Sequence, residues 1–257
     1  MTQRERQIFL IRALLEERSE YGEIKLPHSD EAQKKLLRSL MNVRSPQPAD
    51  DDFLRVQDEY LQAEISQRGI TSVTDLTPIQ EHIYLWQGDI TTLKADGIVN
   101  AANSGMTGCY CPCHGCIDNA IHTFAGVRLR LECARLMNRQ GHEEEIGGAK
   151  ITPSFNLPCD YVLHTVGPIV KGALTEKDRL QLASCYRSCL ALAAQNRLKS
   201  IAFCCISTGE FHFPNEEAAK IAVETVKEFL REAKSSLKVI FNVFKDEDFV
   251  IYKNLLS

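Results

Sequence analysis

Apolar side chains recur at helical spacing through the first 72 residues. Their gaps of three or four positions mark one face of a helix. The sets are Ile8, Ile11 and Leu15, then Leu36, Leu37, Leu40 and Met41, and then Leu54, Leu61 and Ile65. Two prolines within 44–50 separate the second set from the third, because proline blocks helix continuation. The pattern predicts three helices, and no candidate chemistry is visible in them.

From about residue 80 onward, short apolar runs alternate with helical patterns. Six runs have the length and the β-branched or aromatic content of strands. They are 82–90, 97–103, 150–155, 161–168, 200–208 and 237–244. The helical stripes between them include Val127, Leu131 and Ala134, then Leu182, Tyr186, Cys189 and Ala193. The nearly continuous apolar run at 200–208 predicts a central strand covered on both faces.

This alternation predicts a three-layer α/β fold with a mixed or mostly parallel central sheet. The chain divides near residue 72, which leaves 1–72 as an N-terminal helical extension and 73–257 as the α/β domain. The extension is interpreted as a helical cap or a partner-docking appendage. Ligands of such sheets bind beside the carboxyl ends of the strands. The polar, glycine-bearing segments of this chain follow strands, so the site is expected there.

The composition and net charge of the chain limit the classes of function that it can have. The chain has 257 residues, 44% hydrophobic and 25% charged, as in ordinary globular proteins, and its net charge of −4 leaves no basic footprint for nucleic acid. Charges interrupt the N-terminal apolar run, and no apolar run approaches the roughly 18 residues of a membrane span. We therefore expect a cytoplasmic protein without a membrane partner. Nothing in the sequence demands more than a monomer.

The stretch "GCYCPCHGC" (108–116) carries the strongest local signal. Thiolates and neutral imidazoles are good zinc ligands, and a cytoplasmic location favours metal binding or free thiols over disulfides. The candidates are Cys109, Cys111, Cys113, His114 and Cys116. Structural zinc sites usually draw ligand pairs from two segments, whereas this chain offers one. Three ligands from one loop leave a fourth position open, which favours a catalytic site; a structural zinc, free thiols or redox pairing are the alternatives.

Three other segments offer polar groups at predicted strand ends. Asp89 could accept a hydrogen bond from an exocyclic amine or simply cap a turn. Asn100 and Asn103 suit sugar hydroxyls or shape their loop. The turn at 207–209, Ser-Thr-Gly, precedes a predicted helix and could bind phosphate through backbone amides, with Phe211 or Phe213 stacking on a ring.

Asp118 and His122 lie four residues apart, on one face of a predicted helix. Asp118 falls in the first turn, where helix amides favour the anionic form. It is a candidate general base or ligand-positioning carboxylate. For His122, a packed or capping histidine is an interpretation at least as good as a catalytic one.

The ordered motifs "GDIT", "IVNAAN", "DNAIH", "HTVGP" and "ISTGEFHFP" resemble the macrodomain family, whose members bind ADP-ribose. The resemblance covers 73–257. Where hydrolase-type members carry a run of glycines, this chain has "TGCYCPCHGC". That segment resembles the zinc-dependent branch, which hydrolyses ADP-ribose from modified protein side chains and also has a preceding helical segment. The match implies Cys109, His114 and Cys116 as zinc ligands, with Cys111 and Cys113 as alternates.

The resemblance also implies roles for the other loops. Asp89 and Ile90 would hold adenine, and Asn103 would contact the distal ribose while Asn100 supports the loop. The diphosphate and distal ribose would be embraced by Ser207, Thr208, Gly209, Glu210 and Phe211. Typical members have "STGIYGYP" there, so Glu210 and His212 depart from the pattern and the role of the Glu210 carboxylate is open. Asp118 matches the family's proposed base or water-orienting group.

The expected reaction is hydrolysis of the bond between the anomeric carbon and a protein side chain, with an ester to Asp or Glu as the expected linkage. Zinc would polarise an oxygen of the distal ribose or a bound water, and Asp118 would orient or deprotonate the attacking water. The branch often accompanies a sirtuin-like ADP-ribosyl transferase and a lipoyl-carrier protein, which makes such a carrier a candidate substrate. The alternatives are a non-catalytic ADP-ribose reader with a structural zinc, and a docking module built around a zinc knuckle.

Overall fold

The computed structural model describes residues 1–257, and its N-terminal part consists of three helices. They are α1 (Gln3–Glu16), α2 (Asp30–Val43) and α3 (Asp51–Arg68). Each begins where a side-chain oxygen accepts a hydrogen bond from a backbone N–H of the first turn, which is the usual signal for a helix start. The capping residues are Thr2, Ser29 and Asp50. The three helices confirm the prediction from apolar spacing.

A six-stranded mixed sheet forms the centre of the molecule. Its strands are β2 (Ile83–Gln87), β4 (Gly97–Ala102), β5 (Ala149–Pro153), β6 (Tyr161–Val166), β7 (Ser200–Phe203) and β8 (Lys238–Val243). They lie in the order β2-β8-β7-β4-β6-β5, parallel except for β5, which runs antiparallel to β6. A short parallel pair, β1 (Thr71–Ser72) with β3 (Leu93–Lys94), stands apart. The mixed sheet agrees with the predicted fold class.

Five helices cover the sheet. They are α4 (Ile117–Ala125), α5 (Val127–Gln140), α6 (Glu176–Gln195), α7 (Asn215–Glu232) and α8 (Asp246–Leu256). Helix α4 packs on β4 and α5 packs on β5, with α2 and α3 against α4. Helix α6 packs on β5 and β6, α8 packs on β8 and β2, and α7 packs against both of these helices. None of the helices combines the length and apolar character needed to cross a membrane.

Besides the short pair β1 and β3, which was not predicted, two details differ from the sequence prediction. The apolar run 200–208 forms a strand only as far as Phe203, because the chain then leaves the sheet to build a loop at its carboxyl edge. The helix α8 was not predicted. Its signal is an acidic first turn followed by the buried side chains Tyr252 and Leu256, four residues apart. Apolar content identified a buried run, but only backbone pairing determined where the strand ends.

The buried side chains form two cores. The larger contains 42 residues and surrounds the sheet. The smaller contains 11 residues, ten from the N-terminal helices plus Val127 of α5. The helical segment therefore has an apolar core of its own, joined to the α/β part through α4 and α5. The exact division near residue 72 stays a prediction.

Candidate functional site

Three of the five predicted metal-ligand candidates converge in the loop between β4 and α4. The ligand atoms of Cys109, His114 and Cys116 all lie within 4.8 Å of one another. The Cys109 Sγ is 3.7 Å from the His114 Nδ1. All three side chains are half-buried. Two sulfur donors and one imidazole at this spacing fit a zinc ion, and three ligands leave one coordination position open.

The two alternates lie outside that cluster. Cys111 is exposed. Cys113 turns towards α2, where its Sγ lies 3.2 Å from the Ser39 Oγ and donates to the Lys35 carbonyl at 3.4 Å. The fold thus groups the three residues that the resemblance implied as ligands and leaves the two alternates outside the group. Whether an ion binds the group stays a prediction.

The Cys116 thiol is also part of the helix that follows it. It occupies the N-cap position of α4, where its Sγ accepts from the Asn119 N–H at 3.4 Å. Burial raises the pKa of Cys116 to about 12, and the neighbouring Cys109 acts in the same direction. A metal-bound cysteine is a thiolate, so this position needs a nearby cation to hold the anion.

Asp118 lies in the first turn of α4 and is buried. Its Oδ1 accepts from the Asn100 Nδ2 at 2.8 Å, and its Oδ2 lies 3.5 Å from the Asn103 Nδ2. Burial raises the pKa of Asp118 to about 6, although the Asn100 hydrogen bond and Arg130 act in the opposite direction. We expected the helix amides to favour the anion, but loss of solvent outweighs them at this depth. The predicted Asn100, Asn103 and Asp118 do lie together.

Asn103 also supports the metal loop. Its Nδ2 donates to the Gly108 carbonyl at 3.2 Å. Gly108 has φ +85°, and a Cβ there would lie 2.7 Å from the Cγ of His122. Glycine is therefore required where the loop crosses the His122 ring.

His122 lies behind Asp118 and away from solvent. Both ring nitrogens are buried without a hydrogen-bond partner, although the Nε2 lies 3.5 Å from the Asp118 Oδ1. Burial lowers the pKa of His122 well below its usual value, and burial lowers that of the neighbouring His164 to about 4. Both imidazoles are thus neutral at physiological pH. The structure favours the packed interpretation of His122.

Asp89 follows β2 and caps the turn after it, which is one of the two roles that the sequence suggested. Its Oδ1 accepts from the Thr91 backbone N–H at 2.9 Å, and its Oδ2 accepts from Arg68 at 2.5 Å. Arg68 is the last residue of α3, and its guanidinium carbon lies 3.7 Å from the ring centroid of Phe124. A carboxylate has lone pairs to spare for a ligand amine. Ile90 is only 2% exposed, so any contact it makes with adenine must come from its backbone.

The loop 204–214 follows β7 at the same edge of the sheet. The backbone N–H groups of 208–211 donate to no acceptor within the protein. Ser207 has φ +65° and His212 has φ +55°, which bends the chain around these amides. Successive free amides in such a turn suit an anionic ligand. The phosphate role of Ser207, Thr208, Gly209, Glu210 and Phe211 stays a prediction, and these amides are the observation that supports it.

The side chains of the loop 204–214 have different surroundings, which the sequence did not reveal. Phe213 is 1% exposed and belongs to the core, so Phe211 alone of the two is available for stacking. The Glu210 Oε1 lies 3.5 Å from the His114 Nε2. The carboxylate therefore points towards the metal loop, and the two loops meet across the site.

Phe244 is a site candidate that the sequence reasoning missed. Its ring is 76% exposed directly after β8. The neighbouring strand β2 ends beside it, since the Gly88 N–H donates to the Val243 carbonyl at 3.0 Å and Asp89 comes next. A large exposed aromatic ring within an otherwise charged segment, "FKDED", was the available signal.

Comparison with known proteins shows the family of the chain. A family described as "Macro domain" matches residues 99–222. A protein-ADP-ribose hydrolase from Treponema medium is 59% identical over 261 residues, covering 100% of both chains. The chain belongs to the macrodomain family. The match extends through the N-terminal helices as well as the macrodomain's α/β part.

Two further comparisons support the assignment of this macrodomain. A protein-ADP-ribose hydrolase from Staphylococcus aureus (strain MRSA252) is 49% identical over 251 residues, 97% of this chain and 94% of the relative. The structure of a Trypanosoma brucei macrodomain in complex with ADP-ribose superposes with a TM-score of 0.66 and 30% identity, over 90% of this chain and 97% of that one. The predicted fold class is confirmed.

Proposed function

We propose that this macrodomain is a zinc-dependent hydrolase that removes ADP-ribose from modified protein side chains, with ester-linked mono-ADP-ribose on Asp or Glu as its substrate class. The named activity of the Treponema and Staphylococcus relatives supports the hydrolase part. The observation that carries the zinc part is the gathering of Cys109, His114 and Cys116 within 4.8 Å, in the loop between Asn103 and Asp118.

The proposed ligand lies along the carboxyl edge of the sheet. Adenine is assigned to the space between Asp89 and the exposed ring of Phe244. The diphosphate is assigned to the free backbone amides of 208–211. The distal ribose then falls between Asn103 and the metal loop, where Glu210 and His114 bring the two loops together. All of these groups come from one chain, so the proposal needs no second copy.

In the proposed reaction, water displaces a protein carboxylate from the anomeric carbon. Bound zinc would supply a Lewis acid at the distal ribose. Cys109, His114 and Cys116 would hold it. Asn103 orients the ribose, and Asp118 orients the attacking water and accepts its proton. Asn100 fixes the Asp118 carboxylate from behind through the 2.8 Å hydrogen bond, so the base keeps one orientation. The protein target remains a proposal from resemblance: a lipoyl-carrier protein modified by a sirtuin-like transferase.

Removing the metal tests this function. The wild-type protein should contain about one zinc per chain. Dialysis against a chelator should lower turnover of an ester-linked ADP-ribosylated protein by at least about 10-fold, and one equivalent of zinc should restore it. Release of free ADP-ribose is followed by mass spectrometry, and ADP-ribose binding to the metal-free protein by calorimetry. Unchanged turnover after complete metal removal would refute the zinc role. Binding without any release of ADP-ribose would instead identify a reader.

Replacing Asp89 with asparagine tests the adenine site. Asn can still cap Thr91 through its Oδ1, but it presents an amide donor where Asp89 has an anionic acceptor. A hydrogen bond to a charged group contributes about 1.5–3 kcal/mol, so ADP-ribose should bind about 10-fold more weakly. Because adenine binding is shared by ground and transition states, kcat should stay within about 2-fold. Calorimetry and steady-state kinetics measure the two effects.

Asp96→Asn is the matched control for that change. Asp96 also accepts a backbone hydrogen bond, from Lys199, but it lies immediately before β4, at the amino end of the strands. Its replacement should leave ADP-ribose affinity unchanged. Equal affinities for Asp89→Asn and wild type would remove Asp89 from the adenine site.

A further inference from the structure

A polar stripe on α2 faces the metal loop. Lys35, Arg38, Ser39 and Asn42 recur at intervals of three and four residues, so they lie on one side of the helix. This stripe lies beside the apolar residues that form the core of the N-terminal helices. The relevant contacts are the Lys35 carbonyl and the side chains of the other three residues. The metal loop is therefore packed against the N-terminal segment.

Arg38 makes the most direct connection. Its guanidinium donates to the His114 carbonyl at 2.9 Å and to the Asn119 Oδ1 at 2.7 and 3.2 Å. Asn119 is fully buried and donates through its Nδ2 to the Cys111 carbonyl at 3.0 Å. Its backbone N–H donates to the Cys116 Sγ. Arg38 and Asn119 thus fix three positions of the loop at once.

Asn42 holds the loop at a second point. This buried side chain accepts from the Cys113 N–H at 2.9 Å and donates to the Thr123 hydroxyl of α4 at 2.9 Å. Cys113 has φ +54°, a left-handed conformation that costs energy for a non-glycine residue. External contacts are required to maintain it. The Cys113 thiol, which the metal cluster does not use, packs on Ser39.

Arg130 of α5 ties the end of α2 to the start of the loop. Its guanidinium donates to the carbonyls of Asn42 and Arg44 at 2.7 Å each and to the Thr107 carbonyl at 2.7 Å. The first two belong to the C-terminal end of α2, whose carbonyls have no partner within the helix. The helix end and the loop are therefore held by the same buried cation.

We propose that α2 holds the metal loop in the conformation that groups Cys109, His114 and Cys116, with Arg38 as the positioning residue. The N-terminal segment is then a part of the active site and not a detachable cap. The consequence for catalysis rests on the proposed function, while the effect on loop conformation does not. Arg38 acts through the His114 backbone and Asn119, so its loss should affect metal binding and kcat more than ADP-ribose binding.

The test compares Arg38→Ala with Lys35→Ala in the full chain. Both remove a cation from α2, but the exposed Lys35 side chain makes no hydrogen bond or ion pair. Hydrogen–deuterium exchange of 108–116 in metal-free protein should be at least about 10-fold faster in Arg38→Ala than in wild type. Zinc affinity, measured by competition with a chelating dye, should fall about 10- to 100-fold, as for other residues that orient metal ligands. Lys35→Ala should match wild type in both.

Arg38→Lys keeps the positive charge, and it is included as a second variant in case Arg38→Ala fails to fold. Lysine cannot reproduce the forked contact to His114 and Asn119, so this variant should also show faster loop exchange and weaker zinc binding. Loop exchange within 2-fold of wild type in the folded Arg38 variants would overturn the proposal, as would faster exchange with unchanged zinc affinity. If wild-type protein binds no zinc, the proposed function fails, and loop exchange alone then decides the role of α2.

Discussion

The Cys116→Ser variant is expected to lose its zinc and about 1,000-fold of its turnover. Serine can still accept the Asn119 N–H, so the start of α4 keeps its cap while the thiolate donor disappears. Removing one of three ligands leaves Cys109 and His114, which are too few for a stable site. Lewis-acid stabilisation of a transition state contributes several kcal/mol, and each 1.36 kcal/mol corresponds to a factor of ten in rate. Metal content is measured by mass spectrometry and kcat by release of ADP-ribose.

Cys111→Ser is the matched control. It makes the same chemical change five residues earlier in the same loop, at an exposed thiol outside the cluster. Zinc content, turnover and ADP-ribose affinity should all equal those of wild type. If Cys116→Ser loses zinc and still hydrolyses the substrate at the wild-type rate, the metal is structural and the catalytic assignment is wrong. If Cys111→Ser loses zinc, the ligand set is wrong.

The Asp118→Asn variant is expected to turn over about 100- to 10,000-fold more slowly, the usual contribution of a positioned general base. The substitution preserves volume and leaves an oxygen to accept from Asn100. It removes the ability to take a proton from water. ADP-ribose affinity should change by less than about 3-fold, because the loss concerns the transition state. Single-turnover kinetics and calorimetry separate the two quantities.

Asp248→Asn provides a control with the same local structure. Asp248 is also a buried carboxylate in the first turn of a helix, and it accepts from the Asn215 Nδ2 at 2.7 Å. It lies on α8 and makes no hydrogen bond with Asn100, Asn103 or the metal loop. Its replacement should have no more than a small effect on kcat, through stability alone. Comparable losses in both variants would mean that Asp118 has a structural role.

Local sequence patterns predicted most of the fold. Apolar runs and helical stripes located the six strands of the main sheet and seven of the eight helices, because burial imposes a period of two or 3.6 on the residues themselves. These patterns did not predict α8, and they placed the end of β7 too late. The apolar residues 204–206 lie in a loop and are not part of the strand. Apolar residues are buried in a core whether they belong to a strand or to a loop. Apolar content therefore does not show where a strand ends.

The candidate site was predicted in parts. The spacing of Cys109, His114 and Cys116 came from the sequence through family resemblance, and the fold brings their ligand atoms together. The burial of Asp118, which raises its pKa to about 6, could not be read from its place in a first turn. Phe211 and Phe213 looked equivalent, yet only Phe211 is accessible. Accessibility depends on what the rest of the chain places over each side chain.

The sequence by itself determined the fold class, the order of the loops at the carboxyl edge and the ligand types available there, since these depend on residue identity and short-range periodicity. Only the tertiary structure showed how close the three ligand atoms lie and what the N-terminal helices contact. Arg38 contacts His114 across 76 residues and Asn119 across 81. Contacts at that separation leave no periodic signal, because they form only when the whole chain has folded and each polar group must find a partner.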